Sequence, residues 1–131
     1  MAVGWFSNYN STARTKIAVI EDDGSLDTGF ATASSGFLNQ IVDVRVDGDG
    51  KYVVGGVFTT YDGSTRRRIA RVNTDGSHDT TFDPGEGFDD VVNAIAIQSD
   101  GKIVVGGDFR AFDGSVTADR ILRLTSTGAE D

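Results

Sequence analysis

The 131 residues contain no cysteine, and only one proline, one histidine, one tryptophan and one methionine. Without cysteine there are no disulfides and no thiolate metal centres. Basic residues are also few: 12 Lys and Arg stand against 20 Asp and Glu, for a formal net charge of −8 and a pI near 4.4. Phosphate contacts need clustered cations, so neither nucleic acid nor an anionic membrane is an expected partner. Arg66-Arg67-Arg68 is the single cationic run. No apolar stretch approaches membrane-spanning length, and MAVGWFSNYN lacks the cationic head and apolar segment of a secretory signal. No segment keeps apolar residues at i, i+3, i+4 and i+7 without a glycine or Asp-Gly break, which excludes helices. What the chain does have is glycine, 17 residues of it, with 38% hydrophobic residues. That combination predicts a turn-rich β protein with a core.

The chain repeats itself. KYVVGGVFTTYDGS at 51–64 returns as KIVVGGDFRAFDGS at 102–115, and RIAR at 68–71 returns as RILR at 120–123. The offset changes from 51 to 52 through one residue inserted between Gly114 and Arg120. A partial copy stands in front: Gly4, Phe6 and Tyr9 align with Gly56, Phe58 and Tyr61, and EDDGSLDTGF at 21–30 aligns with NTDGSHDTTF at 73–82. On this alignment His78 falls opposite Leu26 and Ala129, and Asp131 opposite Asp79 and Asp27.

Within a unit, Val42, Val44 and Val46 alternate with Asp43 and Arg45, the period-two pattern of a half-buried strand, matched by VNAIAIQ at 92–98. Asp-Gly turns join these strands to KYVVGGVF and KIVVGGDF. RIARV and RILRL supply a third strand, with KIAVI in the first copy, and LDTGF and HDTTF a short fourth. The double glycines Gly55-Gly56 and Gly106-Gly107 predict a bulge or the close approach of a neighbouring sheet, not a phosphate loop, because no helix follows.

These motifs, above all IARVNTDGS, DTTFDPG, AIAIQSDGKIVVGGDF and the trailing FDG, resemble the delta-60 repeat, a bacterial and phage-associated family of β-propeller blades. The resemblance runs from about Gly4 to the end, with ATASSGFLNQ replacing the DPGEGFDD segment in the first copy. It implies an all-β chain of about two and a half propeller-type blades. Each blade would have three to four antiparallel strands, with a period of 51–52 residues. Residues 1–30 form a partial blade, 31–82 a repeat unit, and 83–131 a unit truncated at its C-terminal end. So few blades cannot cover one another. Assembly of copies into an oligomer, or docking on another structural protein, is therefore expected; a fragment of a longer repeat protein is the alternative, although Met1 reads as a natural start. The absence of cysteine and of a signal segment fits a virion or cytoplasmic location, and the family's distribution points to a phage virion component, such as a capsid decoration or a tail or fibre accessory.

Candidate sites are few. Trp5, Phe6 and Tyr9 form an aromatic cluster at the unpaired front edge and, with Arg66 and Arg67, are the expected interface residues. Asp47 and Asp49 in DGDGK are the calcium candidate, set against a plain hairpin turn, because calcium takes six to eight oxygens and this loop offers few. Asp62-Gly63-Ser64 and Asp113-Gly114-Ser115 read as Asx-type turns. His78 lacks a convergent nucleophile, and no carboxylate pair stands out among the 20 acids, so the chain is not expected to be an enzyme. Tyr61, Phe88 and Phe112, near Asp- and Asn-bearing loops, would serve a carbohydrate-binding face as a second reading.

Overall fold

The computed structural model describes residues 1–4, 6–30, 36–116 and 118–131. Among them every regular element is a strand. The middle unit is an antiparallel sheet of β5 (Ile41–Val46), β6 (Tyr52–Gly56) and β9 (Ile69–Val72). The C-terminal unit repeats it with β10 (Val92–Ile97), β11 (Ile103–Gly107) and β12 (Ile121–Leu124). The first unit pairs β1 (Ala2–Val3) with β4 (Ile17–Ala18) and has no inner strand of its own in this sequence. The predicted fourth strand is reduced to single bridges, Ile20 with Leu26, Val72 with His78, and Leu124 with Glu130. It ends there because the next aspartate turns the chain: Asp79 Oδ1 accepts the Thr81 amide at 3.0 Å, and Asp27 Oδ1 accepts the Gly29 amide at 2.7 Å. The bridges also correct the alignment. Glu130, not Ala129, is the counterpart of His78, so the position takes a charge as readily as an apolar group.

A small hairpin leaves each sheet between its second and third strands: β2 (Asn8–Tyr9) with β3 (Thr12–Ala13), β7 (Thr60–Tyr61) with β8 (Ser64–Thr65), and a bridge from Phe112 to Ser115. Their two-residue tips, Asn10-Ser11, Asp62-Gly63 and Asp113-Gly114, all have positive φ, as a type I′ turn requires. Asp62-Gly63-Ser64 and Asp113-Gly114-Ser115 are thus hairpin turns.

Alternation along the strands divides the core in two. Val54, Ala70 and Val72 face the first unit, where they join Ile17, Phe30, Phe37, Ile41, Phe58 and Tyr61. Val53 and Ile69 point the other way and pack with Val92, Ile95, Phe88, Phe109 and Leu124 of the C-terminal unit. Each core therefore lies between consecutive blades, and a middle blade is apolar on both faces.

The double glycine is what lets the blades close. A Cβ on Gly56 would overlap the Gln40 carbonyl oxygen and lie 3.0 Å from Ile41 Cα, where the pairing of β5 with β6 is bulged. A Cβ on Gly55 would overlap Val92 Cγ1 and lie 2.9 Å from Ile95 Cδ1, both on the next blade. One glycine admits the blade's own inner strand, and the other admits its neighbour's.

Candidate interaction surfaces

The junction between the middle and C-terminal blades carries a polar latch. Asp79 Oδ2 receives Arg71 Nε at 2.7 Å and Lys51 Nζ at 2.9 Å, while its Oδ1 takes the Thr81 hydroxyl at 2.6 Å. Arg71 Nη1 crosses to the next blade and donates to the Ser126 carbonyl at 2.8 Å, and the guanidinium lies 5.2 Å from the Phe82 ring centroid. Both Arg71 and Asp79 are buried. Burial alone would raise the Asp79 pKa, but hydrogen bonds from Thr81, Lys51 and Arg71 outweigh it and hold the carboxyl well below the ordinary range. A second polar link, Ile95 N–H to Asp43 Oδ2 at 2.8 Å, joins the same two blades.

The C-terminal blade repeats this arrangement on a face that meets solvent. Arg123 Nε donates to Asp131 Oδ2 at 2.6 Å, and Lys102 Nζ lies 2.9 Å from Asp131 Oδ1. The Lys102 bond, joined by that from Arg123, lowers the Asp131 pKa. Ile121, the counterpart of fully buried Ile69, is 65% exposed. A Cβ at Gly106, the counterpart of Gly55, would meet only the Arg120 carbonyl oxygen, 3.8 Å away. Glycine clearance, isoleucine and the Lys–Asp–Arg cluster thus recur together. The Asp43 link does not, because Ala94 holds that place.

At the opposite end Phe6 and Tyr9 are half-buried, and Tyr9 Oη donates to the Gly24 carbonyl at 2.7 Å. Trp5 lies outside the described residues. Arg66 and Arg67 are not brought to this edge. Arg66 Nε is 2.8 Å from His78 Nε2 within the middle blade, and Arg67 makes a long contact of 3.8 Å to Glu86. His78 is half-buried against Tyr61 and Arg66; burial first, then the Arg66 charge, lowers its pKa. Asp47 is committed to its turn, with Oδ1 accepting the amides of Asp49 and Lys51 and Oδ2 lying 3.5 Å from Arg71; Asp49 is exposed beside it. Among the described residues, no three His, Asp or Glu side chains converge as a metal site.

Tyr61, Phe88 and Phe112 are all buried. They pack within their own blades, Phe37 stacked on Tyr61 at 4.1 Å and Phe88 tilted against Phe112 at 4.8 Å, and present no ring for a sugar. The signal for the latch was in the sequence all along: Lys51, Arg71 and Asp79 recur as Lys102, Arg123 and Asp131, whereas the first unit has Val19 in place of the arginine. No helix among the described residues is long and apolar enough to cross a membrane.

A family model described as "Domain of unknown function (DUF5122) beta-propeller" matches residues 1–30, 48–82 and 98–131. Comparison with curated proteins and with solved structures found no match. The latter two matched stretches begin at the turn before the second strand of a unit, and all three run through the aspartate after its third. Covering most of the sequence, they show that the chain belongs to this family of β-propeller repeats.

Proposed function

We propose that this is a non-enzymatic structural or interaction protein that assembles through its propeller-type blades, with a second copy of the chain as the partner of the C-terminal face. The observation that carries the reading is the repeated face itself. Gly55, Ile69 and the Lys51–Asp79–Arg71 cluster are covered by a blade, and Gly106, Ile121 and the Lys102–Asp131–Arg123 cluster are the same surface uncovered. An exposed isoleucine flanked by a pre-formed ion cluster suits a partner that brings both apolar contact and a main-chain carbonyl, as Ser126 does. The resemblance to the delta-60 repeat and its phage association support a virion setting, as a capsid decoration or a tail or fibre accessory; docking on another structural protein is the alternative partner. A carbohydrate-binding role would need exposed rings other than Tyr61, Phe88 and Phe112.

Sedimentation velocity across nanomolar to high micromolar concentration tests the assembly. The parent chain should self-associate, and Ile121→Asp, a change at an exposed position that leaves the fold intact, should remain monomeric. A parent chain that stays monomeric throughout, or an Ile121→Asp variant that associates equally well, would overturn the reading.

A further inference from the structure

Each unit enters its third strand through a cation in the left-handed backbone region: Lys16 (φ 69°), Arg68 (φ 69°) and Arg120 (φ 65°). The residue closes a loop. Its amide donates to the Phe6, Phe58 or Phe109 carbonyl, and its carbonyl accepts the Gly4, Gly56 or Gly107 amide. Glycine would adopt this conformation with least strain, so a long cation in all three units points to a use for the side chain. The three uses differ. Lys16 Nζ donates to the Phe37 carbonyl of the next unit at 3.2 Å, and Arg120 Nη1 reaches Asp108 Oδ1 of its own unit at 3.4 Å. In the middle unit Val57 stands where Asp108 does. Arg68 Nη1 turns to the Val57 carbonyl instead, and no carboxylate pairs with this guanidinium among the described residues. Its Nε is buried with no hydrogen-bond partner. The other such atom among the described residues, Arg14 Nε, has a local cause: Leu26 stands where His78 accepts the bond from Arg66, the counterpart of Arg14.

Arg68 lines a recess of about 500 Å³ between the middle hairpin and the start of the C-terminal unit, the volume of a small-molecule site. Thr60 and Thr65 pair directly across β7 and β8 and share the hairpin face opposite buried Tyr61. With Thr59 and Arg67 they form one wall, and Asp89 stands on the other. Arg67 is half exposed and touches Glu86 only at 3.8 Å. Asp89 Oδ1 accepts the Ala111 and Arg110 amides at 3.0 and 2.9 Å, bonds that lower its pKa and keep it charged. Two guanidiniums against one carboxylate leave this recess a single positive charge in a chain whose net charge is −8.

We propose that the recess binds a small hydroxycarboxylate. Its carboxylate takes the place beside Arg68 that Asp108 takes beside Arg120, with Arg67 as a second cation. A guanidinium offers paired N–H groups that match the two oxygens of a carboxylate. The ligand's hydroxyls meet the threonines and Asp89 Oδ2, while the Asp89 charge disfavours a dianion such as phosphate or sulfate. The recess lies at the end of β6 remote from the Lys51–Asp79–Arg71 latch, between two units joined in one chain. It is therefore independent of the proposed assembly face, and the two stand or fall separately.

The test is a titration of the intact, isotope-labelled chain with sodium gluconate at fixed pH and ionic strength, followed by amide NMR shifts. Shifts at residues 59, 60, 65, 67, 68 and 89 should saturate together. Val57→Asp copies the internal carboxylate of the C-terminal unit and should weaken gluconate binding at least about tenfold. Arg68→Gly keeps the left-handed turn with less strain and should weaken it as much. Val46→Asp adds the same charge at an exposed position at the far end of the sheet and should leave binding unchanged. Absence of a saturable shift, binding by Val57→Asp or Arg68→Gly equal to the parent's, or an equal loss in Val46→Asp overturns the proposal. Phosphate or sulfate saturating the same amides more tightly than gluconate overturns it as well.

Discussion

The duplicated Lys–Asp–Arg cluster allows one substitution to be made in two environments of the same molecule. Arg71→Ala removes a buried guanidinium that ties Asp79 to the Ser126 carbonyl of the next blade. Asp79, 3% exposed, is left with Lys51 as its only ionic partner among the described residues. Breaking a buried ion pair by deleting one member costs about 3–5 kcal/mol, because the survivor keeps a desolvated charge. Arg123→Ala removes the equivalent bond to Asp131 from a side chain that is 49% exposed. Water takes over there, and the expected cost is ~0–1 kcal/mol. Urea unfolding followed by circular dichroism, at a concentration where sedimentation shows monomer, should therefore separate the two variants by about 3 kcal/mol. Equal losses would refute the view that the covering blade gives the cluster its weight. Repeated where the chain self-associates, the comparison should narrow: once a partner buries Arg123, its removal costs what the removal of Arg71 does.

The paired glycines should part in the same way. Gly55→Ala forces a methyl onto Val92 and Ile95 and should cost about 1–3 kcal/mol by overpacking; Gly106→Ala meets open space and should be neutral, or stabilising by up to about 1 kcal/mol, in the monomer. Equal effects in thermal melts would mean that the gap at Gly55 is not set by the next blade. The depressed Asp79 pKa fixes a pH dependence. Its folded value lies below the ordinary aspartate value near 3.8, so its stabilisation is fully present above about pH 4 and is lost as pH falls from there toward the folded value. Asp79→Asn should flatten the acid limb of a stability–pH curve, and an acid limb as steep as the parent's would show that other carboxylates govern it.

Much of the fold was legible because the strand segments recur. Val42, Val44 and Val46 marked β5, and the repeat then placed β10 at the corresponding distance, but the alternation named the wrong face: Ile41 is buried while Val42 and Val46 are 39% and 59% exposed, because a bulge between Ile41 and Asp43 shifts the register. Two things were not legible, for different reasons. Period-two alternation reports that a residue faces a sheet surface, not which surface is covered, so Val53 and Val54 looked alike although they serve different junctions. Aromatic residues beside polar turns looked accessible because Tyr61 and Phe112 sit next to Asp62 and Asp113. The rings turn inward, however, onto a phenylalanine 24 residues earlier in both units. The latch was missed because arginine within a strand, written RIAR, reads as the solvent-facing half of the alternation. Only its joint recurrence with a lysine about 20 residues before and an aspartate eight after distinguishes it.

The two junctions in the chain are built differently, and the difference bears on what the C-terminal face can accept. The first is mainly apolar among the described residues: Val3 stands where Gly55 stands in the second, and Val19 where Arg71 does, both packed against the core around Ile41 and Phe37, with Lys16 Nζ donating across it to the Phe37 carbonyl at 3.2 Å. A mainly apolar surface gains from any apolar cover and fixes register less tightly. The second is narrower and polar at its rim. Its glycine admits only a strand that brings Val92 and Ile95 to one place, and its arginine is satisfied only when a carbonyl arrives at the right height. A misplaced partner would leave Arg71 buried without its acceptor, a penalty that no apolar contact at that site offsets. The exposed face reproduces the second pattern, Gly106 with Arg123, and not the first. It is therefore suited to one partner geometry, and an unrelated apolar surface laid on Ile121 would strand the Arg123 side chain that a matching blade would satisfy.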